Sequence, residues 1–302
     1  MRENKLDRRS FVKAAGCFIA AGTNGFPDDA PDRYLDRGNE LAGGMIIPAY
    51  FYPTNGGLSD RFAQVAWASR WLAQNGTGGF DKLVAIVNVD SGPGLATDPK
   101  YTSAIDVVKS AGGTVLGYVA TGYGNKSYLS ITTEIDSWIS YYPNLDGIFL
   151  DEWNGQNPGF AGMYQDLFWH VTVNRQLSSC VCNPGVPFSP GNTNPDPAWW
   201  GTAFVVHENR GNLATEISLP VWLQTNSHAD KGAVLIHGLS SQARTTRTIV
   251  DAKSKGARWF YVTDDLLPNP WDKIPGEIAG ATADGSNTYW WNLIWSIGKV
   301  HT

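Results

Sequence analysis

Apolar and β-branched residues in this chain gather in short runs, not long stripes. Eight such runs recur, at residues 45–50, 83–88, 114–119, 147–151, 179–183, 203–208, 232–237 and 259–264. Successive runs end about 25–38 residues apart, roughly the length of one βα unit. Between several of them apolar residues fall at helical spacing. Residues 60–74 carry Phe62, Val65, Ala66 and Leu72, and residues 103–111 carry Ile105, Val107 and Val108 before the stop signal Gly112-Gly113. Residues 132–141, 163–176 and 241–255 follow the same logic, the last ending at Gly256. The stretch before Ala203 is full of Pro, Gly and Asn and reads as a long loop. Residues 288–300, with Tyr289, Trp290, Trp291, Ile294, Trp295 and Ile297, read as a closing helix. Eight alternating units predict an α/β fold, a (β/α)8 TIM barrel built as a single domain over residues 44–302. The alternative, a doubly wound open sheet, lacks its glycine fingerprint after the first strand.

The N-terminus has a different pattern. Arg8-Arg9 is followed by Phe11, Lys13 and the weakly apolar stretch 14–22. Residues 1–25 therefore read as a twin-arginine export signal, which predicts a periplasmic or extracellular protein. Residues 26–43, rich in Asp, Gly, Pro and Asn, read as a flexible lead-in. The apolar run before Cys17 is too short for a lipoprotein leader. No later segment is apolar for the ~20 residues that span a bilayer.

Composition narrows the class. The 302 residues are 42% hydrophobic, enough for a large core and unlike a disordered chain. Only 17% are charged, against about 25% in an ordinary domain, and 13 residues are Trp. The net charge of −5 argues against a nucleic-acid partner, which needs a basic face. Residues 1–25 hold five Lys/Arg and two Asp/Glu, so their removal takes the net charge to about −8. Three cysteines exclude a disulfide scaffold; Cys180 and Cys182 read as small buried apolar residues. His170, His207, His228 and His237 are scattered without ligand spacing, so no metal and no cofactor are expected. A monomer is expected.

In a barrel the chemistry lies at the C-terminal ends of strands. Here those ends offer Tyr50, Asn88, Thr121, Asp151-Glu152, Asn183, Glu208, His237 and Asp264-Asp265. A carboxylate closing an apolar strand is costly unless used or paired. By alternation, Asp151 shares the parity of Gly147 and Phe149, and Glu208 that of Phe204 and Val206, which turns His207 toward the helices. Two such acids suit glycoside hydrolysis, where one is ionised and the other protonated. Helix capping or ion pairing is the structural alternative. Tyr50, Tyr52, Tyr118, Tyr123 and Trp153 are candidate walls of a sugar groove, or else core aromatics. Asn88 and Asn183 are candidates for binding hydroxyl or N-acetyl groups, with Asp264 as a further sugar ligand. Gly92-Pro93-Gly94 reads as a tight turn, since it lacks the Lys and Ser/Thr of a phosphate loop.

Six segments in order carry a family resemblance. They are Ile47-Pro48-Ala49-Tyr50-Phe51-Tyr52-Pro53; Ala85 to Asn88 with Ser91-Gly92-Pro93-Gly94; Val115 to Val119 with Thr121 and Tyr123-Gly124; Gly147 to Glu152; Asn183-Pro184-Gly185; and Glu208. Across residues 45–265 the chain resembles the spherulin 4 family, classed as glycoside hydrolase family 135. Val89-Asp90 before Ser91, Ala120 before Thr121, and the two strand cysteines depart from that pattern. The resemblance implies a (β/α)8 barrel that cleaves α-1,4-linked N-acetylgalactosamine, or a partly deacetylated polymer, from within. It also implies catalytic acids at Asp151, Glu152 and Glu208 and a polysaccharide as partner. The expected roles are nucleophile or charge stabiliser for Asp151, acid/base for Glu208, and either orientation of the sugar or tuning of Asp151 for Glu152. A non-catalytic carbohydrate-binding barrel and a metal-dependent polysaccharide deacetylase are the alternatives.

Overall fold

The computed structural model describes residues 43–54, 60–155, 157–185, 203–210, 217, 219, 231–277 and 287–299. Each apolar run forms a strand: β1 Gly43–Ala49, β2 Phe80–Val87, β3 Thr114–Ala120, β4 Gly147–Asp151, β5 Ser179–Cys182, β6 Ala203–Arg210, β7 Gly232–His237 and β8 Trp259–Val262. Neighbours in sequence pair in parallel and β1 also pairs with β8, so the sheet closes into a barrel in chain order. Parallel strands covered on both faces read as unbroken apolar runs, and every residue of β1 and β7 is buried.

Helices follow six of the eight strands. They are α1 Arg61–Asn75, α2 Pro99–Ser110, α3 Tyr128–Tyr141, α4 Ala161–Trp169, α5 Gln242–Ser254 and α6 Thr288–Gly298. The connections after β5 and β6, including the loop expected before Ala203, lie outside the described residues, as do residues 1–42. Side chains set the helix starts. Asp60 accepts from the Phe62 and Ala63 amides, Asp98 from Lys100, Ser127 from Ser130 and Asn287 from Trp290. Two helices begin earlier than their apolar spacing predicts, because Asp98 and Ser127 cap them about one turn upstream of the expected starts.

Two details of the sheet position the site. Gly117 in β3 lies under the Trp138 ring of α3, where a Cβ would come within 2.6 Å of the indole. The same indole donates its N–H to the Tyr118 carbonyl at 2.7 Å, which fixes the strand just before the Tyr118 side chain is used. In β6 the register to β7 shifts between Val205 and His207. Strict alternation from Phe204 to Glu208 therefore fails, because the bulged residue resets the count. Glu208 nevertheless reaches the barrel mouth. The side chain of His207 lies outside the described residues. Cys180 and Cys182 are buried and unbridged, with the Cys182 thiol hydrogen-bonded to Cys180. Among the described residues no helix is long and apolar enough to cross a membrane.

Candidate active site

Asp151 ends β4 and is half-buried. Its Oδ1 accepts a hydrogen bond from Asn183 Nδ2 at 2.8 Å. The Tyr118 hydroxyl and the Glu152 backbone N–H donate to the same carboxylate. Glu152 makes that last contact by adopting φ 53°, a left-handed conformation unfavourable for a side-chain-bearing residue. The turn is held from outside. The Glu152 carbonyl accepts from the Tyr123 amide at 2.8 Å and from Thr121 Oγ1 at 2.7 Å. Tyr123 is also left-handed, with φ 53°.

Asn183 follows β5 and is buried. Its amide N–H continues the ladder to Leu150, and its carbonyl accepts from Trp153. The side-chain Oδ1 accepts from the Gly185 amide at 2.8 Å, which fixes the orientation of the carboxamide. Its NH2 group then faces two acids at once, since Nδ2 also donates to Glu208 Oε2 at 2.9 Å. One nitrogen serving both carboxylates puts those two oxygens no farther apart than the sum of the two bonds, about 5.7 Å.

The two acids differ electrostatically. Burial pushes Glu208 up to about 7, with the charge of Asp151 adding to the rise and the Asn183 hydrogen bond opposing it. Burial also raises Asp151, but donors from Tyr118, Glu152 and Asn183 pull against that rise. Three donors favour the ionised form of Asp151, whereas Glu208 has the single opposing donor Asn183. The Tyr118 hydroxyl is pushed above the usual phenol range by burial and by Asp151.

Above the pair lies a cleft of about 480 Å³. It is lined by Tyr50 from the end of β1, by Asn88, Val89 and Ser91 after β2, by the two acids, by His237 of β7, and by residues 267–271 after β8. Among the described residues, no Lys or Arg lines the cleft. Tyr50 stands edge-on to Tyr118, with centroids 5.5 Å apart. Asn88 turns its Oδ1 to the Gly92 amide at 2.9 Å, which closes a turn over residues 88–92.

The fold thus gathers Asp151, Glu208, Asn183, Tyr50, Asn88 and Tyr118. Asn183 spends its amide on the acids, not on a ligand. Tyr123 sits at the rim, 54% exposed, with its hydroxyl raised by burial and by Glu152, Asp151 and Glu208. Three expected sugar contacts fall elsewhere. Tyr52 is 53% exposed and bonded to Asp98 at 2.9 Å beside Tyr101, because the chain leaves the barrel after Tyr50. Trp153 is buried at 2% exposure and packs edge-on against Tyr164. Asp264 binds the Gly276 amide at 2.7 Å and pins the loop after β8. The sequence placed His237 at a strand end without assigning it to the site, and did not mark that loop as part of the wall. The run Leu267-Pro268-Asn269-Pro270-Trp271 was the available signal, a stiff segment directly after a barrel strand. Among the described residues no group of His, Cys, Asp and Glu could hold a metal ion.

The chain is similar to known proteins over this whole region. The model of spherulation-specific family 4 matches residues 44–283. Spherulin-4 of Physarum polycephalum is 28% identical over 231 residues, which cover 73% of this chain and 63% of that protein, so the match spans less than two thirds of the relative's length. The crystal structure of Aspergillus clavatus Sph3 in complex with GalNAc superposes with a TM-score of 0.64 at 20% identity, covering 86% of this chain and 98% of that one.

Proposed function

This chain belongs to spherulation-specific family 4, and on that premise we propose that it is an exported glycoside hydrolase acting within α-1,4-linked N-acetylgalactosamine-type polysaccharide. The observation that carries the reading is the pair of acids bridged by the Asn183 amide, one favoured as carboxylate and one as acid. The structurally similar Aspergillus clavatus Sph3, solved in complex with GalNAc, supports the sugar class.

The spacing supports a retaining course, for which carboxyl groups lie about 5–5.5 Å apart, not the 6.5–9.5 Å that leaves room for a water. Glu208 gives its proton to the glycosidic oxygen as the C1–O bond breaks. Asp151 attacks C1 from the opposite face, forming a glycosyl ester. Glu208, now a carboxylate, takes a proton from water, whose oxygen attacks C1 and releases Asp151. Hydrogen bonds from Tyr118, Asn183 and the Glu152 amide keep Asp151 ionised and aimed. Glu152 acts through its backbone, orienting Asp151. Export follows from residues 1–25, and residues 44–302 form the catalytic barrel.

The test uses Asp151→Asn and Glu208→Gln with a reducing-end assay on α-1,4-N-acetylgalactosamine polymer. Each folded variant should lose at least about 10³-fold in kcat. NMR should show the α-anomer formed first. Wild-type turnover by either variant overturns the assignment.

A further inference from the structure

The turn that aims Asp151 needs outside support. Glu152 stays left-handed at φ 53°, which a side chain disfavours, and in that conformation its N–H meets the Asp151 carboxylate. We propose that Thr121 and Tyr164 are positioning residues for Asp151, a relay of two hydroxyls from α4 to the Glu152 carbonyl that holds the turn left-handed. Three observations carry it.

The first is the path. Thr121 follows β3, Tyr164 lies in α4, and both are buried. Thr121 Oγ1 lies 2.7 Å from the Glu152 carbonyl oxygen, 3.1 Å from that of Asp151 and 3.0 Å from the Tyr164 hydroxyl. The Tyr164 oxygen accepts from the Asn154 amide at 2.8 Å. One chain of contacts thus runs from the amide of residue 154 back to the carbonyl of residue 152, across the turn.

The second is direction. The chain starts on an amide that only donates and ends on a carbonyl that only accepts, and each hydroxyl has one proton. With Tyr164 donating to Thr121 and Thr121 donating to Glu152, both protons find acceptors. The reverse order sets Thr121 Oγ1 against two carbonyl oxygens with no proton between them. Both hydroxyl rotors are therefore fixed, and aligned hydroxyls polarise one another in a buried site.

The third is what depends on the held peptide. Its N–H, on Trp153, donates to the Asn183 carbonyl at 2.9 Å. The Asn183 side chain in turn donates to both acids. Rotation of that one peptide would draw the Glu152 N–H off Asp151 and loosen Asn183 together. The Trp153 ring packs edge-on against Tyr164 at 5.1 Å, which steadies the far end of the relay.

The inference rests on the reading of Asp151 as the reacting carboxylate, so the experiment follows its titration separately from turnover. Aspartate carboxyls labelled with carbon-13 are titrated by NMR, and the signal absent from Asp151→Asn is that of Asp151. Among the described residues, Glu208, Tyr50, Tyr118, Tyr123 and Glu152 are the titratable groups that act on Asp151. Thr121 and Tyr164 hydrogen-bond to none of those side chains. Tyr164→Phe and Thr121→Val each delete one hydroxyl at nearly constant shape. Each should move the Asp151 titration upward by about half a pH unit, because a donor to the carboxylate is lost. Each should also lower kcat about 10-fold in the reducing-end assay, with KM within about 2-fold. Thr121→Ser keeps the hydroxyl and should restore both. Tyr289→Phe breaks a similar pair outside the cleft, with Thr245 at 2.7 Å, and should move neither. The double variant should be no worse than the worse single one, since the two hydroxyls form one chain. An Asp151 titration unmoved in both Tyr164→Phe and Thr121→Val overturns the proposal, as do losses that add in the double variant. A moved titration, with a wild type that cleaves nothing, upholds the relay and sinks the hydrolase reading alone.

Discussion

Asn183 has the most consequential single side chain of the site. It touches both acids and favours the ionised form of each. Asn183→Ala should lower kcat about 10²-fold and move both limbs of the kcat/KM pH profile upward. An unmoved profile would show that the amide does not couple to the acids. Glu208 offers a thermodynamic check. Its folded pKa of about 7 exceeds its ordinary 4.5, so the native state binds more protons than the unfolded chain between those values. Stability must then fall as pH rises through that window. Glu208→Gln removes the effect, and should be more stable than wild type at pH 8 by up to about 3 kcal/mol, converging at pH 4. Urea melts at the two pH values measure it; equal differences at both would refute the buried acid. At this scale the sequence showed which acids end strands, since an acid closing an apolar run stands out. It did not show the left-handed turn at Glu152 or the bridging role of Asn183. Both depend on contacts between strands that local pattern does not encode.

Elements were the most legible level. All eight strands coincide with apolar runs to within a few residues, because burial on both faces removes any polar interruption. Helix starts at Asp98 and Ser127 were less visible, since the first turns expose residues such as Lys100, Tyr128 and Leu129 that do not extend the buried stripe. The helical pattern read over residues 163–176 continues past α4 as a π turn, His170–Asn174. One inter-element contact has no signature in sequence at all. Lys253, in the last turn of α5, donates to the carbonyls of Ser296, Ile297 and Lys299 at the end of α6, and lies 3.9 Å over the Phe80 ring. It ties the closing helix to the strand starts of the barrel. Lys253→Met keeps the apolar stem and should cost about 1–3 kcal/mol by leaving those carbonyls unserved. Chemical denaturation reads the loss, and a variant as stable as wild type would assign the role to packing alone.

For the whole molecule, the closed parallel barrel brings side chains from β1, β2, β4, β6, β7 and β8 to one mouth although they are far apart in sequence. That convergence makes six separate strand ends one site, and it follows once the strands are counted. The loop after β8 did not follow, because its path depends on Asp264 and Gly276, not on periodicity. Export also belongs to this scale. Arg8→Lys with Arg9→Lys should trap the precursor in the cytoplasm of a bacterial host, read by cell fractionation. Normal export of that variant would exclude a twin-arginine route.

The shared carboxamide also bears on chemical ageing. An asparagine decays to aspartate when the next residue's backbone nitrogen attacks its side chain and closes a succinimide. Asn183 is followed by Pro184, which has no N–H to lose. Asn75-Gly76 and Asn154-Gly155 have no such protection. Conversion at position 183 would set a negative charge between the two acids in place of the amide that donates to both. The proline next door closes that route, so the two acids keep their spacing for the working life of the protein.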